Sequence, residues 1–128
     1  MNKTIAVIIL LLLTNFLLAK DPNAFYKAVL CAQKKTVKIY GGTIGNEHGY
    51  ASGIIVSPDG QIITAIGMFL SSKNLRVTMP NGVVFIAEVI KRDRKKQLAL
   101  LKINSETPDY FDLNKSVEAK IGDWALAI

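Results

Sequence analysis

An all-β domain is the fold class that this sequence predicts, on three observations. Short runs rich in β-branched and other apolar residues recur along the chain, residues that favour turns separate them, and the one segment with helical spacing outside the N-terminus is brief. The pattern is clearest in Ala51-Ser-Gly-Ile-Ile-Val-Ser-Pro-Asp-Gly-Gln-Ile-Ile-Thr64. Ile54, Ile55 and Val56 are followed by Pro58-Asp59-Gly60, which presets φ at the proline and permits a positive φ at the glycine. Ile62, Ile63 and Thr64 then resume an extended run. Two strands joined by a tight turn are the expected result.

The other elements follow from the same reasoning. Asp21-Pro22 reads as a helix cap with proline at the first helical position. Phe25, Ala28, Val29 and Ala32 then fall on one face of a short helix, within residues 20–35, expected to pack against the domain that follows. Thr36 to Tyr40 alternates as a first strand with Val37 and Ile39 on one face. The loop Gly41 to Gly49 contains four glycines but no phosphate-binding spacing, so it is expected to be a flexible connection. Leu75, Val77 and Met79 alternate with polar residues, Pro80-Asn81-Gly82 makes a turn, and Val83 to Ile90 returns as a strand. Leu98 to Ile103 is another strand. Asn104 to Lys120 is a long polar connection that should fold back over one end of the domain, with Tyr110, Phe111 and Leu113 as its apolar anchor.

These segments, in this order, resemble the trypsin-like serine peptidases of the HtrA/Deg type. In that family a small-Ser-Gly start, a β-branched run, Ser-Pro-Asp-Gly and a strand ending in Thr lead to the catalytic His. Asn74 to Met79, Asn81-Gly82, Phe85 to Ile90, Leu98 to Ile103 and Gly122 to Ile128 match the successive later segments. The resemblance covers residues 36–128 and implies a six-stranded antiparallel barrel, the N-terminal half of a two-barrel trypsin-like domain. Trp124-Ala-Leu-Ala-Ile128 is expected to begin its sixth strand, and the chain is expected to be truncated there, leaving an apolar face and a sheet edge that favour self-association.

The same resemblance places the catalytic triad, and this sequence departs from it. The catalytic His follows the Thr by three residues in the family, and that place is held by Gly67. The catalytic Asp stands directly before the Leu-Ala-Leu-Leu strand, and that place is held by Gln97. The nucleophilic Ser would lie beyond Ile128. A serine hydroxyl needs a neighbouring imidazole to take its proton, and the imidazole needs a carboxylate to fix its tautomer, so no catalytic residue is expected in this chain. His48, the one histidine, reads as a solvated residue of the glycine-rich loop.

Composition adds bounds. A chain of 128 residues, half of them apolar, fits one domain with a core. Met1-Asn-Lys3, the apolar run from Thr4 to Ala19 and then Lys20-Asp21 have the layout of a signal peptide over residues 1–19. An uncleaved membrane anchor is the competing reading, because Leu17 is large where a small residue is preferred. Against it, the run contains Thr14 and Asn15 and falls short of the about 20 residues that a span needs. Both readings export the domain, to the periplasm or beyond. Cys31 has no partner for an internal disulfide and is expected to be a small buried residue. No cofactor or metal motif occurs, and none is expected.

The net charge of +6 favours anionic surfaces. Lys91, Arg92, Arg94, Lys95 and Lys96 surround Asp93 and form a candidate anion-binding patch for an anionic polymer or lipid, although a solvated loop between strands has the same composition. No aromatic residue interleaves with these cations, so specific nucleic-acid binding is not expected. Two function classes remain. One is a catalytically inactive relative of an exported serine endopeptidase, acting as a binding or scaffolding module for a polypeptide or a second barrel. The other is a serine endopeptidase whose nucleophile and second barrel lie outside this chain.

Overall fold

The structure, a computed structural model, describes the backbone of residues 23–44 and 47–128 and the side chains of 23–42 and 49–128. The expected signal peptide and the Asp21-Pro22 cap lie outside the described residues. Helix α1 (Ala24–Gln33) begins in a unit that ends at Leu30, and a second unit runs from Cys31 to Ile128. No residue of α1 is buried; Phe25 and Ala28 are exposed, and Cys31 is exposed where burial was expected.

Six antiparallel strands make a closed barrel: β1 (Thr36–Ile44), β2 (Glu47–Ile55), β3 (Gln61–Ala65), β4 (Arg76–Thr78), β5 (Val84–Asp93) and β6 (Leu98–Ile103). Their order around the barrel is β1-β2-β3-β6-β5-β4, and β4 pairs with β1 through Ile39 and Val77 to close it. Closure needs an apolar residue at every second position, and the sequence supplies it. Val37, Ile39, Ile55, Ile62, Val77, Leu101 and Ile103 point inward and are almost wholly removed from water. Each such side chain contributes about 1.5–3 kcal/mol of transfer free energy.

Two expected elements are corrected. Most of the expected loop is strand: residues 41–44 belong to β1 and 47–49 to β2, with Thr43 paired to His48. Trp124–Ile128 is not the sixth strand. That place belongs to β6, and since β4 and β1 have already closed the sheet, no strand edge remains there for a further run to join. Trp124 is therefore exposed, as are Leu126 and Ile128.

The turn between β2 and β3 is fixed from several sides. Gly60 takes φ of 85°, and a Cβ there would lie 2.6 Å from the Ile103 carbonyl oxygen, so the position excludes other residues on both counts. The Asp59 carboxylate accepts from Ser57 Oγ and from Lys102 Nζ, the latter at 2.6 Å, fastening the turn to β6. The long connection after β6 does fold back over this end. Thr107 N–H donates to the Pro58 carbonyl at 2.8 Å, buried Thr107 Oγ1 donates to the Ser57 carbonyl at 2.6 Å, and Phe111 N–H donates to the Ile55 carbonyl at 2.8 Å. Tyr110 packs on the core, whereas Leu113 is exposed; buried Thr107 is the anchor that the sequence reading did not include.

Asp59 has a consequence for acid stability. The Lys102 ammonium and the Ser57 hydroxyl hold its carboxyl well below the usual aspartate range. A depressed folded-state value gives stability that is fully present above the unfolded pKa, about 3.9, and is lost as pH falls through the folded value. Asp59→Asn is accordingly expected to make urea midpoints fall less steeply with acidification below pH ~4. The difference should shrink as salt is raised, since the pair is solvent-exposed.

Candidate functional site

Both triad places lie at the end of the barrel opposite the Pro58 turn. Residue 65 ends β3 opposite Leu98, the first residue of β6, so the residues just outside that pair are neighbours. Ile66 N–H donates to the Gln97 carbonyl at 3.0 Å, which holds the segment leading to Gly67 against Gln97. The structure thus brings together the two places that the resemblance assigned to His and Asp.

Neither place carries an imidazole or a carboxylate. Gly67 has no side chain, and its extended backbone (φ −154°, ψ 172°) leads into a 3-10 turn at Met68–Ser71. Inside that turn, Phe69 folds back so that a Cβ placed on residue 67 would lie 2.6 Å from Phe69 Cε1 and 2.8 Å from Cδ1. The ring, 5% exposed, fills the space into which a histidine would project. Gly49 and Gly41 make room for the rest of the residue: a Cβ at 49 would lie 2.8 Å from Phe69 Cβ, and one at 41 would lie 2.7 Å from Phe69 Cα. Three glycines from separate segments therefore enclose one phenylalanine.

Gln97 sits in the left-handed region, φ 56°, at the end of the turn Arg94–Gln97. Its side-chain amide donates to the Arg94 carbonyl at 2.7 Å, so the group is engaged in holding its own turn. His48 lies in β2, not in a loop, and its side chain is outside the described residues. Phe69 was not singled out from sequence; the signal for it is spatial, in Gly67 and in two glycines of the β1–β2 hairpin.

The basic patch is reorganised by a bulge. β5 runs on to Asp93, and its pairing with β6 shifts between Val89 and Lys91. The shift sets Lys91 opposite Leu100 and Arg92 opposite buried Ala99, turning Arg92 toward the barrel end. There Arg92 Nη2 donates to the Leu70 carbonyl at 2.8 Å, tying β5 to the turn that carries Phe69. Arg92 thus has a structural partner, while Lys91, Arg94, Lys95 and Lys96 have no side-chain hydrogen bond or ion pair among the described residues. Arg92→Ala is expected to cost about 1 kcal/mol or more by stranding the Leu70 carbonyl, and Lys91→Ala less than about 0.5 kcal/mol. Urea unfolding of the two variants compares them.

Residues 51–128 match the family model described as the trypsin-like peptidase domain. The chain is 39% identical over 77 residues to a probable periplasmic serine endoprotease DegP-like of Chlamydia pneumoniae, covering 60% of this chain and 16% of that protein. The corresponding protein of Rickettsia prowazekii is 36% identical over 78 residues, 60% of this chain and 15% of the relative. Serine endoprotease DegS of Haemophilus influenzae is 27% identical over 125 residues, 90% of this chain and 37% of the relative. Among solved structures, the serine endoprotease from Yersinia pestis superposes with a TM-score of 0.58 at 25% identity, covering 71% of this chain and 32% of that one. The chain spans well under half the length of each of these proteins.

Proposed function

Since the chain belongs to the trypsin-like peptidase domain family, we propose that it is a catalytically inactive relative of the exported HtrA-type serine endopeptidases, serving as a binding or scaffolding module. The observation that carries this reading is the Phe69 ring in the space that a side chain at position 67 would need. A glycine where the family has His supplies no general base, and the Phe69 ring lies within 2.8 Å of where a Cβ at that position would stand. At the second place Gln97 carries no charge and directs its amide to its own turn, so it neither orients an imidazole nor stabilises one that gains a proton.

A binding role draws support from the exposed apolar residues of the C-terminal stretch. Val117, Ile121 and Trp124 are about nine-tenths exposed or more, and an apolar surface of this kind favours association with a polypeptide or with a second barrel. An exported location draws support from the signal-like composition of residues 1–19 and from relatives named as periplasmic. Among the described residues no helix is long and apolar enough to cross a membrane.

Purified full-length chain incubated with unfolded casein, and separately with a fluorophosphonate probe, tests the reading. Neither hydrolysis nor labelling is expected. Stoichiometric labelling, or hydrolysis that follows the chain through successive purification steps, overturns it.

A further inference from the structure

We infer that the β5–β6 hairpin tip is a docking surface for anionic lipid, in which Lys91, Arg94, Lys95 and Lys96 meet the headgroups and the aliphatic residues beside them meet the acyl boundary. The tip is an ordered turn. Asp93 Oδ1 accepts from the N–H groups of Lys95 and Lys96 at 3.0 and 3.1 Å, Gln97 Nε2 closes the turn on Arg94, and the Gln97 carbonyl is held by Ile66. Asp93, the one acid at the tip, thus spends its Oδ1 on backbone donors, while the four cationic side chains have no partner among the described residues. Four cations held on one rigid hairpin lose little conformational freedom of the backbone when they engage a charged surface.

What selects lipid over a polar polyanion is the floor between the cations. Lys91, Asp93 and Lys96 line a depression of about 220 Å³ together with Ile63, Leu98, Leu100 and the buried Ala99. Ile90, at the bulge, is 56% exposed, and Leu98 is 40% exposed. An apolar floor rimmed by lysines complements a ligand that joins negative charge to hydrocarbon, whereas a nucleic acid or polyphosphate offers nothing to the floor. Charge complementarity has the right sign, with a net charge of +6 over the chain. Near an anionic membrane surface each lysine or arginine contributes about 1 kcal/mol, about a fivefold change in partitioning.

The test uses the full chain with Cys31→Ser and Ile90→Cys, labelled at position 90 with a polarity-sensitive dye. It is mixed with vesicles of phosphatidylglycerol and phosphatidylcholine, with phosphatidylcholine alone, and with soluble polyphosphate. A blue shift on the mixed vesicles only is expected, lost at high salt. Adding Lys91→Glu, Arg94→Glu, Lys95→Glu and Lys96→Glu should abolish it and lower vesicle partitioning at least a hundredfold, by the same per-charge estimate of about fivefold. Because the dye reports on the tip itself, association through the apolar N-terminus leaves it unshifted. An unshifted dye on bound chain, an equal shift on phosphatidylcholine, or polyphosphate binding without any vesicle response overturns the inference. Lys38→Glu, exposed on β1 and not on a strand of the hairpin, should leave the dye response unchanged; its loss in that variant would equally overturn the assignment to the tip.

Discussion

Gly67→His together with Gln97→Asp is expected to leave the chain without peptide-bond hydrolysis and to destabilise it by about 1–3 kcal/mol, the usual cost of overpacking a filled site. The absence of activity follows from chemistry. The pair restores a base and its orienting carboxylate, but the sequence holds no Gly-x-Ser-Gly-Gly segment to supply a nucleophile, and the oxyanion donors that usually give the largest electrostatic term are missing with it. The loss of stability follows from packing. An added Cβ at 67 comes within 2.8 Å of two Phe69 ring carbons, and the imidazole needs further space beyond it. A double-mutant cycle separates the causes: in a Phe69→Ala background Gly67→His should cost less than in the native one, with a coupling of about 1–2 kcal/mol read from urea unfolding. Zero coupling would mean that the ring and position 67 do not compete for space.

The second large effect is expected at Gly41. A methyl there would meet the backbone of Phe69, its Cα and carbonyl carbon each at 2.7 Å, and backbone cannot step aside as a side-chain end can. Gly41→Ala should therefore cost about 3 kcal/mol or more, a large share of the about 5–15 kcal/mol that stabilises an ordinary domain. Gly82→Ala is the control. It has φ of 85° but nothing within 4 Å of the added carbon, so only the left-handed backbone cost of about 1–2 kcal/mol applies. Thermal unfolding of the two variants ranks them, and equal losses would remove the close approach of the Phe69 turn to β1 as the cause.

What the sequence disclosed, and what it withheld, divides along the range of the interactions. Ser57-Pro-Asp-Gly60 and Pro80-Asn81-Gly82 were legible because turn chemistry is local, and the inward faces of β1 at Val37 and Ile39 and of β4 at Val77 were legible because alternation is local too. The triad places were legible from the order of motifs, and the structure sets them side by side through Ile66 and Gln97. Phe69 was hidden because its meaning lies in glycines 41 and 49 of the β1–β2 hairpin and in Gly67 beyond β3, which gather around one side chain only in the folded structure. Arg92 was grouped with the other cations because nothing in a run of charges marks a bulge; the register shift before Lys91 turns it inward. Trp124–Ile128 was read as a strand from its match to the later segments of the resemblance. Its place in the sheet depended on a free edge, and the pairing of β4 with β1 removes that edge.

The most direct test supplies what catalysis would require from outside. The second barrel of an active DegP-like relative, joined after Ile128, is assayed on casein with the native first barrel and with one carrying Gly67→His, Gln97→Asp and Phe69→Val, both fusions first shown to unfold cooperatively. The expected result is hydrolysis by the restored fusion and none by the native one, a difference of at least about a thousandfold, since loss of a triad member costs orders of magnitude in rate. Casein hydrolysis by the native fusion at a rate near that of the restored one would contradict the proposal that the Gly67 and Gln97 end of this barrel is catalytically silent.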